Sequence, residues 1–151
     1  MQDRFPVLNL PEIEPRIAED EENLLIFDII RKTFVVLTPE EWVRQHFISL
    51  LINHLKYPRS MIKVEKQMRY ASKHKRTDIE VMTNAGTCFL LIECKAPGVK
   101  LNENTLQQIS VYNATKKSPY VAISNGMKHF VWTFHEHENR YEALQKFPDY
   151  R

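Results

Sequence analysis

The sequence predicts an α/β fold around a mixed β-sheet, and three observations carry that expectation. Two stretches, 38–57 and 102–116, read as helices, and between them lie strand-like runs. The runs 78–82 and 87–93 flank Asn84-Ala85-Gly86, a turn signal that makes them a hairpin. Beyond the second helix, 120–124 and 129–134 are two more strands around Asn125-Gly126. The order is helix, three-strand meander, helix, two strands, which is the order of an α/β sandwich.

The elements follow in turn. Residues 1–23, with Pro6, Pro11, Pro15 and an acidic run over 19–22, read as an extended, partly disordered arm. Segments 24–30 and 33–37 are short strands joined through Arg31-Lys32. Thr38-Pro39-Glu40-Glu41 starts a helix: Thr38 is the N-cap, Pro39 the first helical residue, and Glu41 the far member of a capping box. Trp42, Val43, Phe47, Leu50 and Leu51 form its apolar stripe, and Tyr57-Pro58 stops it, because a residue preceding proline disfavours helix. Segment 62–70 is the strand before the hairpin, and Ala96-Pro97-Gly98 ends the hairpin's second strand. From His135 the tail reads as polar, helical or frayed. The organisation expected is therefore an acidic arm (1–23), one domain (24–134) and a polar tail (135–151).

At 151 residues and 43% hydrophobic content the chain suits one compact core. No apolar run approaches a membrane helix, and Met1-Gln2-Asp3-Arg4 lacks a signal-peptide pattern, so a cytoplasmic protein is expected. Cys88 and Cys94, six apart on one strand, are expected to face the same way as reduced core thiols. The net charge of +2 hides an asymmetry: residues 1–30 hold eight acids against Arg4 and Arg16, so the remainder is strongly basic. Arg69, Lys73, Lys75 and Arg76 lead directly into Asp78, a basic approach suited to a phosphate backbone. A solvated, lysine-rich strand edge explains the individual lysines equally well.

The rule-breaking spot is Asp78 with Glu93-Cys94-Lys95, which closes the apolar run 88–92. Side chains alternate along a strand, so Glu93 and Lys95 share a face while Cys94 enters the opposite layer. Burying charge there is costly unless the groups are paired, hydrated or metal-bound. A two- or four-residue hairpin loop pairs Val81 with Leu90 and Ile79 with Ile92, and sets Asp78 opposite Glu93. A three-residue loop would turn Asp78 to the wrong face. A structural Glu93–Lys95 ion pair is the plain alternative to a catalytic pair.

These residues resemble the core of the PD-(D/E)XK, or restriction-endonuclease-like, nuclease superfamily. The wider ordered set is Thr38-Pro39-Glu40-Glu41-Trp42-Val43-Arg44-Gln45, Glu65, Arg76-Thr77-Asp78, Glu93-Cys94-Lys95-Ala96-Pro97, Gln108-x-x-x-Tyr112 and Ser124-Asn125-Gly126. Over about residues 26–134 it is similar to the N-terminal nuclease domain of type I restriction enzyme R subunits. The resemblance implies a three-layer α/β sandwich with a central mixed sheet. It also implies a Mg²⁺-dependent DNA endonuclease, with Mn²⁺ able to substitute. Asp78, Glu93 and the Cys94 carbonyl would bind metal, and Lys95 would position or deprotonate the attacking water. Gln108, or Gln107 in the alternative register, would support the site, and Tyr112 would lie toward nucleic acid. Glu40 or Glu41 would aim a further carboxylate at the metal, although a helix N-terminus favours acids in any case. Glu65 suits an ion pair as well as catalysis.

R subunits of that family carry a translocase whose phosphate loop needs G-x-x-x-x-G-K-[ST]. Gly86, Gly98 and Gly126 are the only glycines, so a stand-alone nuclease-like domain is expected, with any specificity or motor protein separate. The rival is a catalytically silent or partner-dependent DNA-binding module of the same fold. Nothing resembles a base-reading element, so binding is expected to be sequence-independent and steeply salt-dependent. His135-x-His137 sits among acids and reads as a solvated charge run.

Overall fold

The computed structural model describes residues 5–64 and 78–150. A short antiparallel sheet comes first, made of β1 (Ile17–Glu19), β2 (Leu24–Asp28) and β3 (Thr33–Val36) in that order. Helix α1 (Pro39–Ser49) follows, and then β4 (Ile62–Val64), β5 (Ile79–Met82) and β6 (Cys88–Cys94). Helix α2 (Glu103–Lys116) leads into β7 (Tyr120–Ser124), β8 (His129–His135) and β9 (Arg140–Leu144). Strands β4 to β9 form one mixed sheet in sequence order. β6 and β7 are parallel, joined through α2, and all other neighbours are antiparallel.

The sheet separates two cores. On one face Val43, Phe47, Ile48 and Leu51, from α1 and the turn after it, pack on Ile79, Val81, Leu90, Ile92, Cys94, Ala122 and Val131. On the other, Ile109 of α2 packs on Cys88, Leu91, Val121 and Ile123. Helix, sheet and helix thus make the α/β sandwich that the order of elements predicts.

Thr38 caps α1, its Oγ1 accepting the Glu41 N–H at 3.0 Å. The Glu41 carboxylate goes to Arg31, Arg44 and Gln45, so only this half of the expected capping box is described. Past Ser49 the helix widens into a π turn over Leu50–His54, closed by the Leu55 N–H on the Leu50 carbonyl at 2.9 Å. α2 has a capping box of its own between Asn102 and Thr105.

The hairpin register is the expected one, Ile79 opposite Ile92 and Val81 opposite Leu90, but it is reached differently. Met82 pairs with Cys88, and Thr83 closes on Thr87, leaving the three-residue loop Asn84-Ala85-Gly86. A bulge at Phe89 absorbs the odd residue and restores the register beyond it. The same bulge overturns the expectation for the cysteines. Cys88 faces the α2 core and Cys94 the α1 core, because one extra residue reverses the alternation between them.

Both ends of the described residues are integrated. Leu8 is only 6% exposed and belongs to the α1-side core, the Asn9 N–H donates to the Gly126 carbonyl at 2.8 Å, and Trp42 Nε1 donates to Pro6 O at 2.9 Å. After His135, where a helical or frayed tail was expected, β9 pairs with β8. Phe147 then packs on Phe47, and Tyr150 reaches Tyr57 and Phe89. Average polarity hid this, since a few large aromatics suffice to anchor a segment whose backbone completes the sheet.

Candidate active site

Asp78 stands one residue before β5, and both of its carboxylate oxygens are engaged. Oδ2 accepts the Cys94 N–H at 2.7 Å, which ties Asp78 to the end of β6. Oδ1 accepts from Arg44 Nη2 on α1 at 2.5 Å. Glu93, buried at the end of β6, lies 3.0 Å from Lys95 Nζ, so the two share a face as strand alternation requires. The Lys95 N–H donates to the Ser124 carbonyl at 2.8 Å, placing Lys95 beside the β7–β8 turn. In that turn Asn125 Oδ1 accepts the N–H groups of Met127 and Lys128, while its Nδ2 donates to Val99 O at 2.8 Å. The Ser124-Asn125-Gly126 motif thereby fixes both the turn and the loop that follows Lys95.

Arg44, part of the ordered sequence motif, organises the α1 side of the site. It bonds Glu41 Oε1 at 2.6 Å, Glu40 Oε1 at 3.0 Å and Asp78. Glu41 also receives Arg31 and Gln45, and Arg31 and Gln45 in turn both reach Asp28 Oδ2. Asp28 is fully buried; burial alone would raise its pKa, but the Arg31 N–H and the Gln45 amide more than offset this and hold it below the ordinary value. Burial similarly opposes the charged form of Arg44, and Asp78 and Glu41 outweigh it to raise the pKa. Such a buried chain is tolerable because each charge is paired with an opposite one and hydrogen-bonded. Its signal in the sequence is weak, because Asp28, Arg31, Glu41 and Arg44 read locally as turn and helix-surface charges.

The structure separates the two helix carboxylates. Glu41, named as a candidate catalytic residue, is spent on Arg31, Arg44 and Gln45. Glu40 is the one that feels the site: partial burial first, and then the Asp78 charge, raise its pKa, with Glu93 adding and Arg44 and Lys95 opposing. Tyr112 leans on the sheet and donates to Glu80 Oε1 at 3.1 Å, and Lys116 approaches the same carboxylate at 3.2 Å. Because β6 and β7 are parallel, α2 runs back against both, so Gln108, exposed one turn before Tyr112, lies toward the Glu93 end. Buried Glu80 was not singled out in the sequence. Glu65, Arg69, Lys73, Lys75 and Arg76 lie outside the described residues. His135 pairs with Glu142 on β9, away from these groups.

The donor chemistry fits a hard divalent cation. Asp78, Glu93 and the neighbouring Glu40 offer carboxylate oxygen only, and the Cys94 thiol is turned into the core with its pKa raised well above the ordinary value by burial. Among the described residues no three His, Cys, Asp or Glu side chains already converge on one point. A cation would therefore share Asp78 with Arg44 and Glu93 with Lys95. Among the described residues, no helix is long and apolar enough to cross a membrane.

Residues 39–148 match the family described as type I restriction enzyme R protein N terminus. The match begins at the first residue of α1 and ends beyond β9, so it takes in Glu40, Glu41, Arg44, Asp78, Glu93 and Lys95 and leaves out the β1–β3 sheet together with Asp28 and Arg31. A comparison with individual curated proteins found no match.

Proposed function

The chain belongs to the family of type I restriction enzyme R protein N-terminal domains, and from that premise we propose that it is a metal-dependent DNA phosphodiesterase. The family supports a restriction-related domain that acts on DNA; hydrolysis by this chain is our reading. One observation carries it: Glu93 and Lys95 lie side by side at the end of a central strand, and Asp78 is bound to that same strand end through the Cys94 N–H. A carboxylate pair and an ammonium are thereby gathered where α1, β6 and the β7–β8 turn meet.

When bound, Mg²⁺ or Mn²⁺ would polarise the phosphoryl group and lower the pKa of an attacking water. Asp78 and Glu93 would hold the ion, with the Cys94 carbonyl and Glu40 as further oxygen donors. Lys95 orients the water and offsets negative charge that develops on the phosphoryl oxygens. Gln108 serves on the α2 side. DNA is held by phosphate contacts, and Arg69, Lys73, Lys75 and Arg76 are the basic residues proposed for them. Sequence choice and translocation would come from partner subunits.

The test is cleavage of supercoiled, linear and single-stranded DNA by the purified chain with Mg²⁺ or Mn²⁺, beside Lys95→Ala. We expect metal-dependent nicking that Lys95→Ala abolishes; equal cleavage by the variant would sink the assignment. A second reading, a partner-dependent module, is favoured by one observation: both acids are already ion-paired, Asp78 to Arg44 and Glu93 to Lys95. Metal-independent DNA binding without products from any substrate would select it.

A further inference from the structure

We infer that Arg44 is an internal latch on the metal-binding carboxylate, a positioning residue whose release from Asp78 sets the affinity for the divalent ion. The inference rests on the metal-dependent reading of the site and deepens it. Three carboxylates, Glu40, Glu41 and Asp78, converge on this one guanidinium. Its residue is only 7% exposed, and among the described residues its Nε–H has no hydrogen-bond partner. Among the described residues, the hydrogen bonds of its guanidinium are thus made by the two Nη ends.

The two ends differ in what they can give up. Nη1 is anchored on Glu41, which is itself braced by Arg31 and Gln45 against the buried Asp28. Nη2 is shared between Glu40 and Asp78. Arg44 can therefore let go of Asp78 Oδ1 while its charge stays neutralised at Glu41, and Asp78 keeps its second oxygen on the Cys94 N–H. A divalent ion and Arg44 compete for the same carboxylate oxygen. This explains the position of Glu41: it holds the latch and not the metal.

Lysine carries the same charge on a single point and cannot bridge Glu41 and Asp78 as two Nη groups do. Mn²⁺ affinity, read by electron paramagnetic resonance on the full chain, should rise about tenfold in Arg44→Lys, the equivalent of one charge-assisted hydrogen bond. Glu41→Gln, which frees Nη1 and throws the whole guanidinium onto Glu40 and Asp78, should weaken Mn²⁺. A pure packing role for Arg44 would tighten nothing. Unchanged or weaker binding in Arg44→Lys overturns the latch. Should that variant fail to fold, unchanged or tighter binding in Glu41→Gln overturns it instead. Wild-type binding with both variants equal to it removes the latch and leaves the metal reading standing, whereas a free-Mn²⁺ signal undiminished by any of the three chains removes both.

Discussion

The backbone N–H of Cys94 donates to Asp78 Oδ2 at 2.7 Å, joining residues sixteen positions apart across the hairpin. The bond makes Asp78 part of the fold as well as of the proposed chemistry, because it closes the end of β6 just where the strand stops pairing with β5. Strand alternation alone would not place it. Asp78 precedes the paired residues, and its carboxylate turns back to the neighbouring strand's amide.

A first prediction separates those two roles. Asp78→Asn keeps an oxygen for the Cys94 N–H but removes the charge that faces Arg44. Unfolding should be eased by about 1–3 kcal/mol with the native circular-dichroism spectrum retained. Mn²⁺ binding and DNA cleavage should both be lost. Undiminished cleavage by a folded Asp78→Asn protein would remove Asp78 from the metal site.

The second concerns the β7–β8 turn. Gly126 has φ +85, and a Cβ there would lie 2.7 Å from Leu8 Cδ2 and 3.1 Å from Val43 Cγ2. Gly126→Ala should therefore cost about 1–3 kcal/mol, from the left-handed backbone and from the displaced Leu8. Limited proteolysis should show faster cutting within the first ten or so residues, since Asn9 hangs on the Gly126 carbonyl. A melting temperature equal to wild type would show that the arm does not depend on this approach.

The third is a pH dependence. His46 is buried, its Nδ1–H donates to the Trp42 carbonyl at 2.7 Å, and its ring meets Trp42 edge-on. Burial lowers its pKa below the usual 6.5, with the Trp42 carbonyl opposing in part. Protonation thus favours the unfolded chain. The contribution to stability is complete above the unfolded value and is lost as pH falls through the lower folded value. Denaturant melts from about pH 7.5 down to about pH 5.5 should show falling stability, and His46→Gln should flatten that slope. An identical slope in the variant would exclude His46 as its source.

Much of this architecture was legible before any coordinate. Thr38-Pro39 starts α1 and Asn102 starts α2, because capping is a local exchange between a side chain and nearby N–H groups. The pairing of Ile79 with Ile92 followed from matching two apolar patterns, and the adjacency of Glu93 and Lys95 from the two-residue period of a strand. The bulge at Phe89 was not legible, since one extra residue in a ladder depends on how the loop closes. With it went the true facing of Cys88.

What the sequence by itself determined, then, is what short-range periodicity and local hydrogen bonding dictate: the two helices, the strands from β2 to β8 and their order, the hairpin register and the face shared by Glu93 and Lys95. Tertiary structure alone decided the long-range pairings. Arg44 meets Asp78 across thirty-four positions, Leu8 fills the space over Gly126, and β9 covers β8. It also gave the adjacent Glu40 and Glu41 different partners, Glu41 bonding Arg31, Arg44 and Gln45 and Glu40 bonding Arg44. The physical reason is that a charge in a buried network is placed by its partners, and those partners are brought together only when the helix, the hairpin and the small sheet pack.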